Sequence, residues 1–351
     1  MKKITYDYII VTNVPAFYKI KLYNELAKKL KIKVIFCSNS SSIRPSDFCS
    51  GDLDFEHEFL FSHNFENRNK FVSLFKLAKI LLRDKFKLIL FPSWELIEFI
   101  PLMLLLTSEK LGMVLESSII ETKTTGIHWL IKKLVINKMG HAFPSGKLQS
   151  DILLKANYKG LVHITHGVGL PSRKATSRNA TYGIRNYFRY LYVGRVSSEK
   201  NIEHLVELFN NNGKNLTVVG DGPLLESLSS IAKSNITFLG YINNEKLSKI
   251  YEDHDVFVLP SISEPWGLVI DEALWFGLPV VVSENVGCIE DLVIQTGAGT
   301  TFSIYDDQTF NQALITMELK YNVFKGNVKS IDFSERDKNQ IDSYLIYENT
   351  N

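Results

Sequence analysis

The chain has 351 residues, of which 45% are hydrophobic and 22% are charged. This composition is typical of a folded globular protein, and it excludes a disordered or collagen-like chain. At this length two α/β domains can each bury a core of their own. The formal net charge of +2 conceals an asymmetry, because residues 1–180 hold 27 Lys+Arg and 15 Asp+Glu while residues 181–351 hold 13 and 23.

The first half of the chain alternates short apolar runs with helical patterns. Strands are predicted at 8–11, 33–36, 88–91, 112–115 and 161–164, a helix at 18–29 and a polar loop at 41–54. Strands that alternate with helices indicate βαβ units and a largely parallel sheet. The apolar stretch 96–106 is too short to span a bilayer and is predicted to be a buried helix. Asp7 interrupts the first apolar run, so we expect no signal peptide there.

Positive charges cluster in the first half. Helical spacing would place Lys76, Lys79 and Arg83 on one face. This pattern predicts either a solvated face or a surface that docks on anionic lipid or captures a lipid-linked pyrophosphate. Nucleic acid is not expected as a partner, because no recognised nucleic-acid motif accompanies the charge.

The second half repeats the α/β pattern more regularly. Strands are predicted near 190–193, 215–219, 236–239, 255–259 and 279–282, and helices near 201–210, 223–233, 245–252 and 267–276. Such a doubly wound domain binds its ligand at the carboxyl ends of its strands. Four polar or glycine residues follow predicted strand ends and are expected to converge on one crevice: Arg195, Gly220, Ser261 and Glu264.

Two glutamates separated by seven residues flank the start of an apolar helix. Glu264 precedes Gly267, where the helix is predicted to begin, and Glu272 lies within it. The first N–H groups of a helix and its positive dipole end suit a diphosphate. An acid in so apolar a helix needs a partner, which we expect a bound sugar nucleotide to supply for Glu272. Asp271 points to another helix face and is predicted to be structural.

Metal and nicotinamide sites are weaker interpretations. Two Asp-x-Asp triplets, at 52–54 and 253–255, could hold a metal bound to a donor, but neither lies in a favourable context. The run Gly220-Asp221-Gly222-Pro223 has Leu225 where a dinucleotide fingerprint needs Gly or Ala. The three cysteines have no metal-ligand spacing and are predicted to be small buried residues in a reducing compartment: Cys37, Cys49 and Cys288.

Four stretches together resemble a known family. They are 191–201, with its strand–Gly-Arg–loop–Lys order, the strand and Gly-x-Gly-Pro turn at 216–223, the strand at 255–261 and the two-glutamate element at 264–272. This chain is similar there to the retaining glycosyltransferases of family 4, the "glycosyl transferases group 1". The resemblance is strong only over about 190–298, and it implies the GT-B fold, an α/β fold of two doubly wound Rossmann-like domains facing across a cleft.

The resemblance also implies a domain division. We expect an acceptor-binding domain at 1–170, a linker at 171–189 and a nucleotide-sugar-binding domain at 190–330. The tail, 331–351, has helical character and by resemblance crosses back to the first domain.

Site residues are carried over from the matching motifs. By resemblance, Arg195 and Lys200 hold the donor diphosphate, Glu264 lies near the transferred sugar and Glu272 binds the ribose. Of these, Arg195, Lys200 and Glu264 are the catalytic candidates. The remaining donor-binding candidates present backbone groups: Gly194, Gly220, Gly222, Gly267 and Leu268.

The first domain departs from the family pattern. Asn13-Val14-Pro15 stands where the family often has a glycine-rich loop, and no histidine near Glu116 matches the one many members carry. Asn13 and Glu116 are therefore only candidates for acceptor or sugar contacts. Glu95 is a weaker candidate, and His166 is predicted to be structural.

The implied function is retaining transfer of a hexosyl or N-acetylhexosaminyl group. The donor would be a nucleotide-diphosphate sugar and the acceptor a glycan or lipid-linked molecule, in cell-surface polysaccharide biosynthesis. No cofactor and no metal is expected, and the implied location is the cytoplasm, at the inner face of the cell membrane. Two alternatives stay open: a non-catalytic sugar-nucleotide-binding subunit of an assembly complex, and an oxidoreductase or epimerase on a similar scaffold.

Overall fold

The computed structural model describes residues 5–171, 173 and 187–347. The chain divides into two compact units, one formed by Met1–Pro171 with Ser334–Asn351 and the other by Ser172–Phe333. The predicted linker, 171–189, lies mostly outside the described residues and stays a prediction.

The first unit is built on a parallel sheet. Its strands are β1 (Thr5–Thr12), β2 (Ile32–Ser40), β3 (Glu56–Asn64), β4 (Lys85–Phe91), β5 (Leu111–Leu115), β6 (His141–Pro144) and β7 (Leu161–Val162). Its helices are α1 (Phe17–Ala27), α2 (Lys70–Arg83), α3 (Ile100–Leu105), α4 (Gly126–Lys138) and α5 (Lys147–Ala156). Helix α1 buries Leu22 and Leu26, as its pattern predicts.

The strand order of the first sheet is β3-β2-β1-β4-β5-β6-β7. The chain winds outward from β1 in one direction and from β4 in the other, so these two strands flank the topological switch point. Alternate residues of β1 face opposite sides, with Ile9 in one apolar core and Ile10 in the other. A sheet covered on both faces needs apolar strands, which explains the short hydrophobic runs.

One predicted helix of the first unit is partly wrong. The stretch 96–106 forms a 3-10 turn, Ile97–Phe99, followed by the six-residue helix α3. Phe99 and Met103 are buried, but Leu104 and Leu105 are exposed. Pro101 lies in the first turn of α3, where its missing N–H costs no hydrogen bond.

The second unit has a parallel sheet of order β10-β9-β8-β11-β12-β13. The strands are β8 (Arg189–Val193), β9 (Asn215–Val219), β10 (Ile236–Gly240), β11 (Val256–Leu259), β12 (Val280–Ser283) and β13 (Gly299–Phe302). The helices are α6 (Ile202–Asn212), α7 (Leu225–Ile231), α8 (Asn244–Glu252), α9 (Leu268–Trp275), a π-helix (Ile289–Ile294), α10 (Asp307–Leu319) and α11 (Tyr321–Lys329). The last helix, α12 (Phe333–Asp342), belongs to the first unit from its second residue onward. Its switch point lies between β8 and β11.

The residues after α12 pack on the first unit. The Tyr8 hydroxyl donates a 2.5 Å hydrogen bond to the carbonyl of Tyr344, and the Tyr344 ring stacks on Phe143 at 5.0 Å. Both aromatic residues belong to the apolar core that also contains Tyr8. The end of the chain therefore completes a core begun by its first strand.

Candidate functional site

Two loops of the second unit meet at its switch point. Lys200 ends the 3-10 turn that leads into α6, and Glu264 lies between β11 and α9. The Lys200 ammonium forms an ion pair with the Glu264 carboxylate, and their side chains are 21% and 15% exposed. The Ile262 N–H donates to the Glu199 carbonyl at 3.0 Å, which ties the two loops together. The structure thus brings together a predicted cation and a predicted acid from positions 64 residues apart.

Arg195 follows β8 at the same edge of the sheet. Its guanidinium lies 3.8 Å from the Glu199 carboxylate and is about half exposed. Its carbonyl accepts a 2.7 Å hydrogen bond from the Tyr192 hydroxyl. Burial, and then the charges of Glu264 and Glu199, hold the pKa of Tyr192 well above its usual value, so this hydroxyl stays a neutral donor. The backbone of Arg195 is fixed, while its charge is accessible to an arriving anion.

The predicted glycines allow close backbone packing beside these charges. Gly220 has φ of +139°, and a Cβ there would lie 1.8 Å from the Gly194 carbonyl oxygen. Gly222 packs in the same way against the backbone of Val196. The loop after β9 can therefore lie directly on the loop after β8 only because side chains are absent.

Helix α9 begins at the predicted position. Its N-cap is Gly267, in the left-handed region with φ of +99°, and Leu268 is its first residue. The segment before it is held by the N–H groups of Gly287 and Cys288, which donate to the carbonyls of Glu264 and Trp266. The buried Trp266 indole N–H has no hydrogen-bond partner among the described residues, so the helix start carries an unused donor.

The two acids of α9 differ from the sequence expectation. Asp271, only 5% exposed, is the buried acid, and its carboxylate lies 3.1 Å from the Arg173 guanidinium. Glu272 is half-buried and accepts a 3.3 Å hydrogen bond from the Tyr251 hydroxyl. The helical rotation turns Asp271 inward and leaves Glu272 only partly buried, with a partner in the protein. The donor contact expected for Glu272 stays a prediction. The structural role expected for Asp271 agrees with its pairing to Arg173.

Removing the buried acid should be costly to stability. We expect Asp271→Ala to lower the free energy of unfolding by about 3 kcal/mol, because the Arg173 side chain, which is only 12% exposed, loses its paired charge. The neighbouring Glu272→Ala removes a half-exposed carboxylate and should cost less than about 1 kcal/mol. Urea unfolding of both variants measures the difference, and equal losses would refute the assignment.

The first unit gathers polar groups at its own switch point. Asn13 follows β1 and donates a 3.1 Å hydrogen bond from Nδ2 to Oε2 of Glu95, which follows β4. Glu116, which follows β5, pairs at 2.8 Å with Lys19 of α1. The surrounding protein, and then the negative charge of Glu116, raise the pKa of Glu95, while the charge of Lys19 opposes the shift. Asn13 and Glu116 were expected here; Glu95 is the residue that sequence reasoning underrated.

Two buried serines extend this polar edge. Ser93 and Ser118 follow β4 and β5, are each 1% exposed, and have hydroxyls without a hydrogen-bond partner among the described residues. Ser93 also has φ of +43°. This left-handed backbone conformation is energetically unfavourable for any residue that has a side chain. Strain and unpaired polar groups collect where a protein binds ligands.

Three other predictions concern His166, metal binding and the cysteines. His166 has φ of +58°, and its carbonyl accepts a hydrogen bond from Arg336, which agrees with a structural role. Within the described ranges no group of three or more His, Cys, Asp or Glu side chains is placed to hold a metal ion. Cys37 and Cys288 are buried and Cys49 is partly buried, and none of the three forms a disulfide bond within the described residues.

The chain is similar in sequence to known glycosyltransferases over its second unit. Residues 177–325 match the family model described as "Glycosyl transferases group 1". The alpha-monoglucosyldiacylglycerol synthase of Acholeplasma laidlawii is 37% identical over 146 residues, which is 38% of this chain and 35% of that protein. Aligned segments span only 23% to 35% of the length of the curated relatives.

Solved structures match nearly the whole chain. The lipopolysaccharide outer core galactosyltransferase WaaB aligns with a TM-score of 0.71 at 13% identity, covering 96% of this chain and 98% of that one. Anabaena HepE in complex with UDP-glucose aligns with a TM-score of 0.66 at 13% identity, covering 96% and 99%. The protein has the GT-B fold of such enzymes. The sequence similarity to the glycosyl transferases group 1 family is limited to 177–325, which is less than half of the chain.

Proposed function

We propose that the protein is a metal-independent, retaining glycosyltransferase of family 4. It moves a hexosyl or N-acetylhexosaminyl group from a nucleotide-diphosphate sugar to a glycan or lipid-linked acceptor. The observation that carries the proposal is the Lys200–Glu264 ion pair, which lies at the switch point of the second sheet, just before the start of α9. A doubly wound domain binds its ligand at this position.

The ion pair suggests how the donor is held. An arriving diphosphate carries more negative charge than one carboxylate, so it competes with Glu264 for the Lys200 ammonium. Arg195 adds a second cation, and the N–H groups of Gly267 and Leu268 add the helix dipole. Glu264, released from Lys200, can accept hydrogen bonds from the sugar, and Glu272 those from the ribose. Since HepE was solved with UDP-glucose, UDP-sugars are the first donors to test.

The acceptor is assigned to the polar edge of the first sheet. Asn13, Glu95 and Glu116 offer one amide and two carboxylates that can accept hydrogen bonds from hydroxyl groups. In the proposed reaction the acceptor oxygen attacks the anomeric carbon on the leaving-group side. The bond to the diphosphate breaks, and the departing phosphate oxygen takes the hydroxyl proton. Arg195 and Lys200 stabilise the charge that develops on the diphosphate.

The setting is proposed to be cell-surface glycan or glycolipid assembly on the cytoplasmic side of the cell membrane. The Acholeplasma relative is named for synthesis of a glycosylated diacylglycerol, and WaaB for lipopolysaccharide. A non-catalytic sugar-nucleotide-binding subunit is the second candidate, because Asn13-Val14-Pro15 replaces a glycine-rich loop in the first unit.

A thermal-shift screen of UDP-, GDP- and ADP-sugars tests the function. A donor present at a hundred times its dissociation constant should stabilise the protein by about 2.7 kcal/mol. Glu272→Ala should abolish this stabilisation. Glu318→Ala is the matched control, since Glu318 likewise accepts a hydrogen bond from a tyrosine hydroxyl, that of Tyr190. A shift without release of nucleoside diphosphate in the presence of acceptor extracts favours the non-catalytic subunit, and no shift with any donor refutes the proposal.

A further inference from the structure

Helix α4 is apolar on two faces. Trp129, Val135 and Ile136 pack into a core of the first unit. Four more aliphatic residues have the i, i+3, i+4, i+7 spacing of one helix face and are exposed: Ile127, Leu130, Ile131 and Leu134. Ile127 is 69% exposed and Leu134 is 71% exposed. A surface helix normally presents a polar face to water, so this second apolar stripe requires a reason.

The neighbouring helices extend the apolar surface. Helix α2 exposes a stripe formed by Phe71, Phe75 and Leu82, while Leu77 and Ile80 on its inner face are buried. Helix α3 exposes Leu104 and Leu105. Helix α2 contacts the turn Ile97–Phe99, which contacts α3, and α3 contacts α4. We call the outer surface of α2, α3 and α4 the docking face. Large exposed apolar surfaces mark sites of association with a partner or a membrane.

The helices of the docking face carry charge of one sign. Helices α2, α3 and α4 contain seven basic residues and no Asp or Glu: Lys70, Lys76, Lys79, Arg83, Lys132, Lys133 and Lys138. Arg83 pairs with Glu58 and Asp84, and Lys132 lies over the Trp94 ring. Of the acids in the segments that join these helices, Glu98 is buried and paired with Arg68, Asp84 and Glu116 pair with lysines, and Glu109 is exposed. The three helices themselves therefore present apolar and basic side chains only.

The charge pattern selects the occupant. A second copy of the chain would place two cationic surfaces against each other, which is unfavourable. A bilayer with anionic headgroups offers negative charge at its surface and an apolar interior below it. No helix of the described residues is long and apolar enough to cross a membrane. Helices that carry an apolar face and a basic flank instead lie in the plane of the interface.

We propose that the docking face binds anionic phospholipid bilayers, with the outer aliphatic side chains of α4 inserted at the boundary between headgroups and acyl chains. This inference goes beyond the proposed function, because it follows from the first unit alone and requires no donor or acceptor. Binding through the docking face would keep the polar edge of the first sheet close to a surface that holds lipid-linked molecules. Binding of this kind also differs from a purely electrostatic attraction of lysines to anionic headgroups, because insertion of apolar side chains contributes binding free energy that salt does not screen.

Co-sedimentation with vesicles tests the proposal. The full chain is mixed with vesicles of phosphatidylcholine alone or of phosphatidylcholine with phosphatidylglycerol. The double variant Leu130→Ser, Leu134→Ser removes two inserting side chains and should weaken binding to anionic vesicles by about tenfold or more. Leu154→Ser is the matched control, because Leu154 is an equally exposed leucine, at 74%, on α5 of the same unit. It should bind as the unchanged chain does.

Salt and oligomeric state separate the alternatives. At about 1 M salt, where charges are screened beyond about 3 Å, the unchanged chain should retain part of its binding and the double variant should not. Absence of preference for anionic vesicles, equal binding by the double variant, or complete loss of binding at high salt would each overturn the proposal. A dimer in solution that the double variant dissociates, without vesicle binding, would assign the face to a second copy. The donor-induced thermal shift of the double variant should be unchanged, so this proposal and the proposed function can fail separately.

Discussion

Replacing Lys200 with glutamine is expected to lower donor turnover by about a hundredfold or more, while the protein remains folded. In the proposed function the ammonium and the Arg195 guanidinium stabilise the departing diphosphate, and removing one preorganised charge partner typically costs a factor of 10² to 10³ in rate. Glutamine keeps most of the side-chain length and can still hydrogen-bond Glu264. The loss should therefore reflect the charge and not the packing. Release of nucleoside diphosphate from the donor found by thermal shift measures the rate.

Lys214→Gln provides the control for this prediction. Lys214 also pairs with a glutamate from another element, at 2.7 Å from Glu318, but it lies at the amino end of β9. Strand carboxyl ends bear the ligand in this fold, so Lys214 should be dispensable for turnover. If Lys200 only ties two loops together, both variants would lose similar stability and neither would lose a hundredfold in rate. That outcome would remove Lys200 from the proposed catalytic residues.

The second unit is the part of the fold that the sequence predicts well. Strands such as Val256–Leu259 and Val280–Ser283 are buried along their whole length, so they stand out as apolar runs between polar loops. Gly267 marks the start of α9 because its φ of +99° suits no other residue well. Lys200 and Glu264 could be paired in advance only through the family resemblance, since nothing local relates positions so far apart.

The remaining features depend on which strands are neighbours. Asn13 and Glu95 meet because β1 and β4 are adjacent, a pairing that alternation of strands and helices does not specify. Asp271 and Glu272 are consecutive acids in one apolar helix, and only the packing of α9 determines which of them faces Arg173. The apolar stretch 96–106 is predicted to be buried, whereas the structure leaves Leu104 and Leu105 of α3 exposed on the docking face, beside four exposed aliphatic residues of α4. A helix with apolar residues all round does not reveal which face has a partner.

Replacing Glu95 with glutamine is expected to make the protein more stable at neutral pH and less active. The surrounding protein, and then the negative charge of Glu116, raise the pKa of this carboxyl in the folded state, but the residue is exposed, so solvent screens most of the effect on stability. A carboxyl with a raised pKa binds its proton more tightly when folded, so its ionisation destabilises the fold as the pH rises through that pKa. Glutamine cannot ionise and avoids this cost. The variant should therefore unfold at a slightly higher temperature at pH 7, and the gain should vanish below about pH 4, where the carboxyl is protonated in both states.

A loss of activity would show that the Glu95 carboxylate binds a ligand and does not merely destabilise the fold. The variant should transfer less labelled sugar to acceptor extracts, while its donor-induced thermal shift is unchanged, because donor contacts are assigned to the second unit. Glu109→Gln is the control, since Glu109 is exposed in the turn that precedes β5, away from the carboxyl ends of the strands. A variant that gains stability and keeps full transfer would exclude Glu95 from the acceptor site. A variant that loses donor binding would instead show that Glu95 acts on the donor. A functional role of either kind would explain why the protein keeps this carboxyl, because proteins commonly retain destabilising polar groups where function requires them.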